Sequence, residues 1–118
     1  MMDFPLTLTH FVECARTLFP TGELVCTLQD KTHTRQTYAE WSKRVAQLAN
    51  ALTRKLGVKP GDRVATLAWN THRHLECWYG IAGMGAVAHT VNPRLFDDQI
   101  VYILNHAEDR IVDRKSVV

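Results

Sequence analysis

The feature that most constrains the fold is a nearly continuous apolar run, Val64 to Trp69, in which Thr66 is the one polar residue. A run of this kind is typical of a strand that is buried on both faces, and such strands belong to parallel sheets covered by helices. The segment Arg63 to Trp69 is therefore predicted to be a buried strand of an α/β fold.

The segment after this strand predicts a helix, a second strand and a second helix. Apolar residues at helical spacing define the inner sides of the two helices: Leu75, Trp78, Tyr79 and Ala82, then Ile100, Ile103, Leu104 and Ala107. Between them, Ala86 to Val91 is the predicted strand, and Asn92-Pro93 turns the chain out of it. Asn70-Thr71 and Asp97-Asp98 offer N-caps for the two helices. The resulting βαβα order indicates an α/β layer fold.

The segment before the buried strand predicts a helix, a short hairpin and a longer helix. Thr7 is a possible N-cap for the first helix. The apolar residues of that helix are Leu8, Phe11, Val12, Ala15, Leu18 and Phe19. Leu24 to Leu28 and Thr34 to Gln36 form the predicted hairpin. Thr37 to Glu40 is a capping box, in which each side chain bonds the other residue's backbone amide.

The longer helix has the clearest apolar face of the chain. Its members are Tyr38, Trp41, Val45, Leu48, Ala49, Leu52 and Leu56. Gly57 is its predicted C-cap, because glycine adopts the left-handed conformation that often ends a helix.

Composition and charge restrict the class of protein. The 118 residues are 46% hydrophobic and 22% charged with a net charge of +2, which is typical of one ordinary soluble domain and gives no reason to expect nucleic-acid binding. No apolar run approaches the roughly 20 residues that span a bilayer, and the N-terminus lacks the pattern of a signal peptide. Cys14, Cys26 and Cys77 are odd in number and widely spaced, so a reducing, cytoplasmic setting is predicted.

The end of the sequence suggests an unfinished sheet. Arg110 to Val112 begins another predicted strand, whereas residues 113–118 are expected to close no element. A central parallel strand needs neighbours on both sides, so we expect the chain to be a piece of a larger domain.

One glycine motif matches a nucleotide-binding pattern by its letters. Gly83 to Ala88 fits G-x-G-x-x-G/A, the dinucleotide fingerprint. That chemistry requires the motif after a strand and at the start of a helix, so that helix amides hold the pyrophosphate. Here the motif follows a helix and opens a strand. We therefore interpret it as a helix stop and a tight helix-to-strand turn.

The histidines do not suggest a metal site. His72 and His74 are two positions apart on a helix and do not face each other, so with Glu76 they are predicted to lie on a solvated face. His89 is predicted to be a hydrogen-bonded histidine in the core or at its rim. His106 is expected to complement the negative end of a helix.

The other chemically interesting residues also have structural interpretations. Cys77 is predicted to be a buried, inert thiol, because no basic partner is evident. Asp97-Asp98 is interpreted as a helix cap rather than a catalytic carboxylate pair. The tryptophans predicted to lie in the core are Trp41, Trp69 and Trp78. No catalytic, cofactor-binding or metal-binding residue is assigned.

The ordered set of motifs resembles the N-terminal part of the adenylate-forming acyl-CoA synthetases, the AMP-binding ligase superfamily. The phrases that carry the resemblance are TYAE (37–40), PGDRV (60–64), RVATLAWN (63–70), RHLECWYGI (73–81), GMGAVAHTVNPRL (83–95) and YILNHAED (102–109). Within the superfamily the chain is most similar to medium- and long-chain fatty acyl-CoA ligases. Residues 1–112 are interpreted as a partial N-terminal domain of this fold and residues 113–118 as a non-family tail.

The resemblance implies an enzyme that couples a fatty acid to coenzyme A. ATP converts the carboxylate to an acyl-adenylate and releases pyrophosphate, and the CoA thiolate then displaces AMP. It implies ATP, Mg²⁺ and CoA for a full-length relative, and a possible homodimer. The phosphate loop, the Mg²⁺ ligand and the catalytic Lys lie downstream in the family. No site residue is therefore carried over, and the isolated chain is expected to be inactive.

Two other hypotheses remain open. A self-standing, flavodoxin-like binding module would hold a ligand at the carboxyl ends of its strands, near Asn70-Thr71 or Asn92-Pro93. A non-enzymatic interaction fragment would pair with another protein, such as a full-length synthetase, through an exposed sheet edge.

Overall fold

The computed structural model describes residues 3–4 and 7–114, and within them it confirms the predicted α/β class. The elements in chain order are α1 (Thr9–Leu18), β1 (Glu23–Thr27), β2 (His33–Thr37), α2 (Tyr38–Arg54), β3 (Arg63–Leu67), α3 (His72–Gly83), β4 (Val87–Val91), α4 (Asp97–Ala107) and β5 (Ile111–Arg114). In this part of the chain no helix is both long enough and apolar enough to cross a membrane.

The three parallel strands form one sheet with β3 at its centre, in the order β4-β3-β5. Val64 lies opposite Ala88 on one side and Ile111 on the other. The predicted burial of this strand is confirmed, because Val64, Ala65 and Thr66 are at most 1% exposed. The strand ends at Leu67 rather than at Trp69, so residues 68–71 form a loop at the carboxyl edge of the sheet.

The hairpin and the capping box are confirmed. β1 and β2 pair antiparallel, with Val25 opposite Arg35. Thr37 Oγ1 accepts the amide hydrogen of Glu40 at 3.2 Å, and Glu40 Oε2 accepts the amide hydrogen of Thr37 at 2.8 Å. Two of the unpaired amides at the start of α2 are thereby satisfied.

The core lies between the sheet and the two helices α2 and α3. Its buried residues are Leu52, Val58, Val64, Ile81 and Ala86. Gly80 allows the two helices to approach closely, since a Cβ at that position would come within 3.0 Å of Leu48 Cδ2. The predicted C-cap at Gly57 is wrong, because Lys55 occupies the C-cap of α2. Gly57 lies two residues later with φ +64°, in the left-handed region.

The predicted inner face of α3 is wrong in part. The buried residues of this helix are His74, Glu76, Gly80 and Ile81, whereas Trp78 is 46% exposed. The apolar periodicity predicted that the bulky residues of α3 face the core. In the structure His74 and Glu76 are buried instead, because Thr66 of β3 and Arg44 of α2 provide polar partners for them. By contrast, the predicted inner residues of α4, from Ile100 to Ala107, are half-buried and none is fully buried.

The predicted N-caps are wrong for α1 and α4, whereas Thr71 lies at the predicted N-cap position of α3. Leu8, not Thr7, precedes α1 in the N-cap position, and no side chain caps it. Thr71 occupies the N-cap of α3 without a side-chain bond. Asp97 and Asp98 lie in the first turn of α4, after Phe96, where their negative charges complement the helix dipole.

The last described strand is longer than expected. Asp113 and Arg114 belong to β5 and pair with Thr66 and Leu67 of β3. Residues 115–118 of the predicted tail lie outside the described residues. The division into 1–112 and 113–118 stays a prediction.

Candidate functional site

An open cleft of about 680 Å³ lies at the carboxyl ends of β3 and β4. Its walls come from three places: the hairpin turn at Leu28, the loop after β3 at Trp69 and Asn70, and the loop from Asn92 to Arg94 after β4. Ligands of open parallel sheets bind at this edge. Both loops singled out in the sequence therefore meet at one cleft.

The two loops touch through an aromatic–cation contact. The guanidinium carbon of Arg94 lies 5.1 Å from the centre of the Trp69 ring. Asn92 Oδ1 accepts the amide hydrogen of Arg94 at 2.9 Å, which fixes the turn that carries the cation. Trp69 is thus half-buried at a cleft wall rather than a core residue, while Trp41 is buried as predicted.

His74 lies beneath this cleft as a buried, hydrogen-bonded histidine. Its Nε2 is 2.9 Å from Thr66 Oγ1 and its Nδ1 is 3.3 Å from Asn70 Oδ1. Burial lowers the pKa of His74 because it disfavours the imidazolium, and the charge of Asp113 opposes this shift more weakly. The prediction of a solvated face was wrong for this residue.

Glu76 is the second polar residue that the sequence placed in solvent and the structure buries. Its side chain is 6% exposed, and its Oε1 accepts a hydrogen bond from Arg44 Nε at 2.6 Å. This ion pair joins α3 to α2. Glu76 therefore has a structural role in holding the two helices together.

Cys77 has the inert character that was predicted. Burial, and secondarily the nearby carboxylate of Asp113, raises the pKa of its thiol to about 12. Its Sγ lies 3.5 Å from Asp113 Oδ2, to which it donates. A thiol of this kind is not a nucleophile at neutral pH.

His89 is confirmed as a hydrogen-bonded histidine at the rim of the core. Its Nδ1 lies 2.7 Å from Asp109 Oδ2, and the Asp109 side chain is 1% exposed. His106 lies in the last turn of α4, as predicted, and stacks on the ring of Tyr102 with 5.6 Å between ring centres.

The glycine motif that matches a nucleotide-binding pattern does not fit a phosphate in this structure. The turn at Gly83 to Gly85 follows the C-terminal end of α3, where helix carbonyls repel an anion. It also lies at the opposite end of β4 from the cleft, roughly 15 Å away for a five-residue strand. Within the described residues no group of three or more His, Cys, Asp or Glu side chains could hold a metal ion.

One signal could have revealed His74 from the sequence. Thr66 is a hydroxyl in an otherwise apolar, buried strand, and a buried hydroxyl needs a partner on the element that covers it. The covering helix begins six residues later at His72, so His74 was an available partner. Glu76 had no comparable signal, because Arg44 lies 32 residues away in the chain.

Comparison with protein families decides the identity of the fold. The family model described as AMP-binding enzyme matches residues 16–114, which is most of the chain. The chain belongs to the AMP-binding enzyme family. The predicted resemblance is therefore confirmed.

Characterised members of the AMP-binding family include near relatives of this chain. A long-chain-fatty-acid–CoA ligase of Thermus thermophilus is 51% identical over 112 residues, which are 95% of this chain and 20% of the relative. A 3-methylmercaptopropionyl-CoA ligase of Ruegeria lacuscaerulensis is 45% identical over 112 residues, which are 95% of this chain and 21% of the relative. The chain thus spans about a fifth of the length of the curated relatives it matches.

Solved structures of AMP-binding relatives have the same fold. The N-terminal domain of FACL13 from Mycobacterium tuberculosis superposes with a TM-score of 0.81 at 30% identity. The superposition covers 92% of this chain and 27% of that domain. The α/β arrangement described above therefore has the fold of part of the N-terminal domain of acyl-CoA synthetases.

Proposed function

We propose that this chain is the N-terminal part of a fatty acid–CoA ligase, which joins a fatty acid to CoA with conversion of ATP to AMP and pyrophosphate. The observation that carries the proposal is 51% identity over 112 residues to a long-chain-fatty-acid–CoA ligase. In such a reaction the carboxylate attacks the α-phosphorus of ATP and expels pyrophosphate. The thiolate of CoA then attacks the acyl carbon and expels AMP.

We further propose that the chain supplies scaffold to this reaction rather than its reacting groups. The turn at Gly83 to Gly85 has the wrong polarity for a phosphate, and the described residues contain no group of three or more His, Cys, Asp or Glu side chains that could hold a metal ion. The pKa of the Cys77 thiol is raised to about 12, so the nucleophilic thiolate is scarce at neutral pH. The purified chain is therefore expected to catalyse no ATP–pyrophosphate exchange with any fatty acid, and measurable exchange would refute this part of the proposal.

A fusion protein tests the family activity directly. The 112 residues of this chain that align with the Thermus thermophilus ligase would replace their counterparts in that enzyme. We expect the fusion to form acyl-CoA and AMP from a fatty acid, CoA and ATP. The ligase lacking its first segment is the control and is expected to be inactive. A folded fusion that forms no thioester with fatty acids of any length would contradict the proposal.

We also propose that the enzyme works in a reducing compartment, the cytoplasm. Cys14, Cys26 and Cys77 are all free thiols, which is the usual state of cysteines in such a setting.

A further inference from the structure

We propose that His74 is a positioning residue that holds the loop of residues 68–71 against the cleft by donating a hydrogen bond from Nδ1 to Asn70. The expected effect on KM rests on the proposed function. The hydrogen bond between His74 and Asn70 can be tested without measuring ligase activity. His74 lies on α3, and the loop it holds carries Trp69 into the cleft wall.

The first observation is the position of His74 where three concave surfaces meet. It lines the cleft at the ends of β3 and β4, an adjoining hollow of about 480 Å³ beside β1, and a depression of about 600 Å³ on the β5 side. Thr71, at the end of the same loop, also lines all three. The loop from Ala68 to Thr71 is therefore a wall shared by every one of these surfaces, and its conformation sets their shapes.

The second observation is the direction of the two hydrogen bonds. The side-chain oxygen of Asn70 can only accept, so Nδ1 of His74 must carry the hydrogen across their 3.3 Å separation. The lone pair of Nε2 then accepts from the Thr66 hydroxyl at 2.9 Å. The neutral Nδ1–H tautomer satisfies both partners at once. Since Thr66 is 0% exposed on β3, this chain of bonds anchors the loop to the central, buried strand of the sheet.

Burial, and not a neighbouring charge, favours the neutral imidazole of His74. Asp113 of β5 favours a proton on His74, but burial outweighs it and lowers the pKa of His74. Glu76, on the same helix, is already paired with Arg44 of α2. Arg73 and Arg114 line the same depression as His74.

Two substitutions separate the two hydrogen bonds. His74→Asn places an amide nitrogen near the position of Nδ1 and can still donate to Asn70, but it loses the contact with Thr66. His74→Gln reaches the position of Nε2 and can still contact Thr66, but it loses the bond to Asn70. The two variants remove similar parts of the ring, so their difference reports the Asn70 bond rather than the loss of packing.

The kinetic test uses the fusion protein with the Thermus thermophilus ligase. We expect His74→Gln to raise KM about tenfold for at least one of ATP, fatty acid and CoA, with kcat changed less than about twofold, as expected for loss of one buried hydrogen bond. His74→Asn is expected to raise the same KM only about twofold. Equal effects of the two variants, or a larger effect of His74→Asn, would overturn the proposal.

A spectroscopic test on the whole chain is independent of activity. The ¹⁵N shifts of the His74 imidazole are expected to show the Nδ1–H tautomer at neutral pH, and an Nε2–H tautomer would overturn the proposal. The Trp69 indole resonance, assigned with Trp69→Phe, is expected to shift in His74→Gln and to stay near its original position in His74→Asn. If the fusion were inactive while these signals behaved as expected, the proposed function would fail and the role of His74 would stand.

Discussion

At the scale of single residues, burial decides the chemistry of this chain. His74 is 8% exposed, and both of its ring nitrogens have partners within the protein. The thiol of Cys77 is half-buried beside the carboxylate of Asp113. In each case the neutral form is favoured, because a buried charge is solvated less well than one in water.

The lowered pKa of His74 predicts a loss of stability in acid. The unfolded chain takes up a proton on this residue below about pH 6.5, before the folded chain does. The free energy of unfolding therefore falls as pH drops below 6.5, until the folded-state pKa has been passed. Urea unfolding between pH 7.5 and 5 measures this effect.

The variant His74→Asn is the control for this pH dependence, because it lacks the titrating group. The stability advantage of the original chain over the variant is expected to shrink as pH falls. An advantage that is constant or grows toward acid would contradict the prediction.

The raised pKa of Cys77 predicts slow alkylation. At pH 8 a thiol with a pKa of about 12 is a thiolate in roughly one molecule in ten thousand, whereas Cys14 is exposed. We expect iodoacetamide to modify Cys14 well before Cys77, and the two rates to converge in urea. Peptide mass spectrometry measures both sites in one sample. Equal alkylation rates of Cys14 and Cys77 in the folded chain would show that the Cys77 thiol is not buried in solution.

At the scale of elements, two features hold the layers in register. The Arg44–Glu76 ion pair ties α2 to α3, and the turn at Gly85 joins α3 to β4. Gly85 has φ +86°, and its carbonyl accepts the amide hydrogen of Gly61 at 2.8 Å. This turn therefore also fixes the start of β3 relative to β4.

The ion pair predicts an asymmetric response to mutation. Arg44→Ala leaves the Glu76 carboxylate buried without a partner and is expected to cost about 2 kcal/mol of unfolding free energy. Glu76→Gln leaves a guanidinium that is 46% exposed and can be hydrated, so its cost is expected to be about 1 kcal/mol or less. Urea unfolding of both variants measures the difference. The reverse order would show that Glu76 is not buried in solution.

The glycine turn offers a matched pair of substitutions. Gly85→Ala forces a side chain into the left-handed region and brings its Cβ to 3.3 Å from Pro60 Cβ, so a cost of about 1–2 kcal/mol or more is expected. Gly83→Ala lies in the helix, where its Cβ would meet only Thr9 Oγ1 at 3.9 Å. That control is expected to be neutral or stabilising, since alanine favours helices. Similar losses of unfolding free energy in Gly85→Ala and Gly83→Ala would contradict the left-handed conformation assigned to Gly85.

At the scale of the whole molecule, the chain exposes more surface than its mass requires. Its accessible surface is 8495 Å², whereas about 6500 Å² is expected for a monomer of 13.4 kDa. Its radius of gyration is 15.4 Å, against about 13.5 Å for a compact chain of this length. The large apolar residues more than 60% exposed include Phe11, Leu18, Phe96 and Tyr102. Apolar side chains therefore contribute to this extra surface.

This surface predicts that the isolated chain associates. Apolar residues open to water favour contacts with other molecules, and the edges of β4 and β5 have unpaired backbone groups within the described sheet. We expect the sedimentation coefficient to rise with protein concentration in the micromolar range and the dye ANS to bind. A second copy in a defined homodimer stays a prediction. A chain that remains monomeric and does not bind ANS would contradict this expectation.

The sequence determined the order of the elements, because apolar periodicity, glycines and the Thr37–Glu40 capping box act over a few residues. The family was indicated separately, by the resemblance of the ordered motifs between Thr37 and Asp109. The sequence also showed that the turn at Gly83 to Gly85 runs from a helix into a strand, the reverse of a dinucleotide-binding turn. This feature depends only on the order of α3 and β4 along the chain. Tertiary structure alone decided that His74 and Glu76 are buried. Their partners Thr66 and Arg44 lie on other elements, and a polar side chain goes inward only where the fold supplies a hydrogen bond or an opposite charge. The shape of the cleft was decided in the same way, because its walls meet only after the strands have paired.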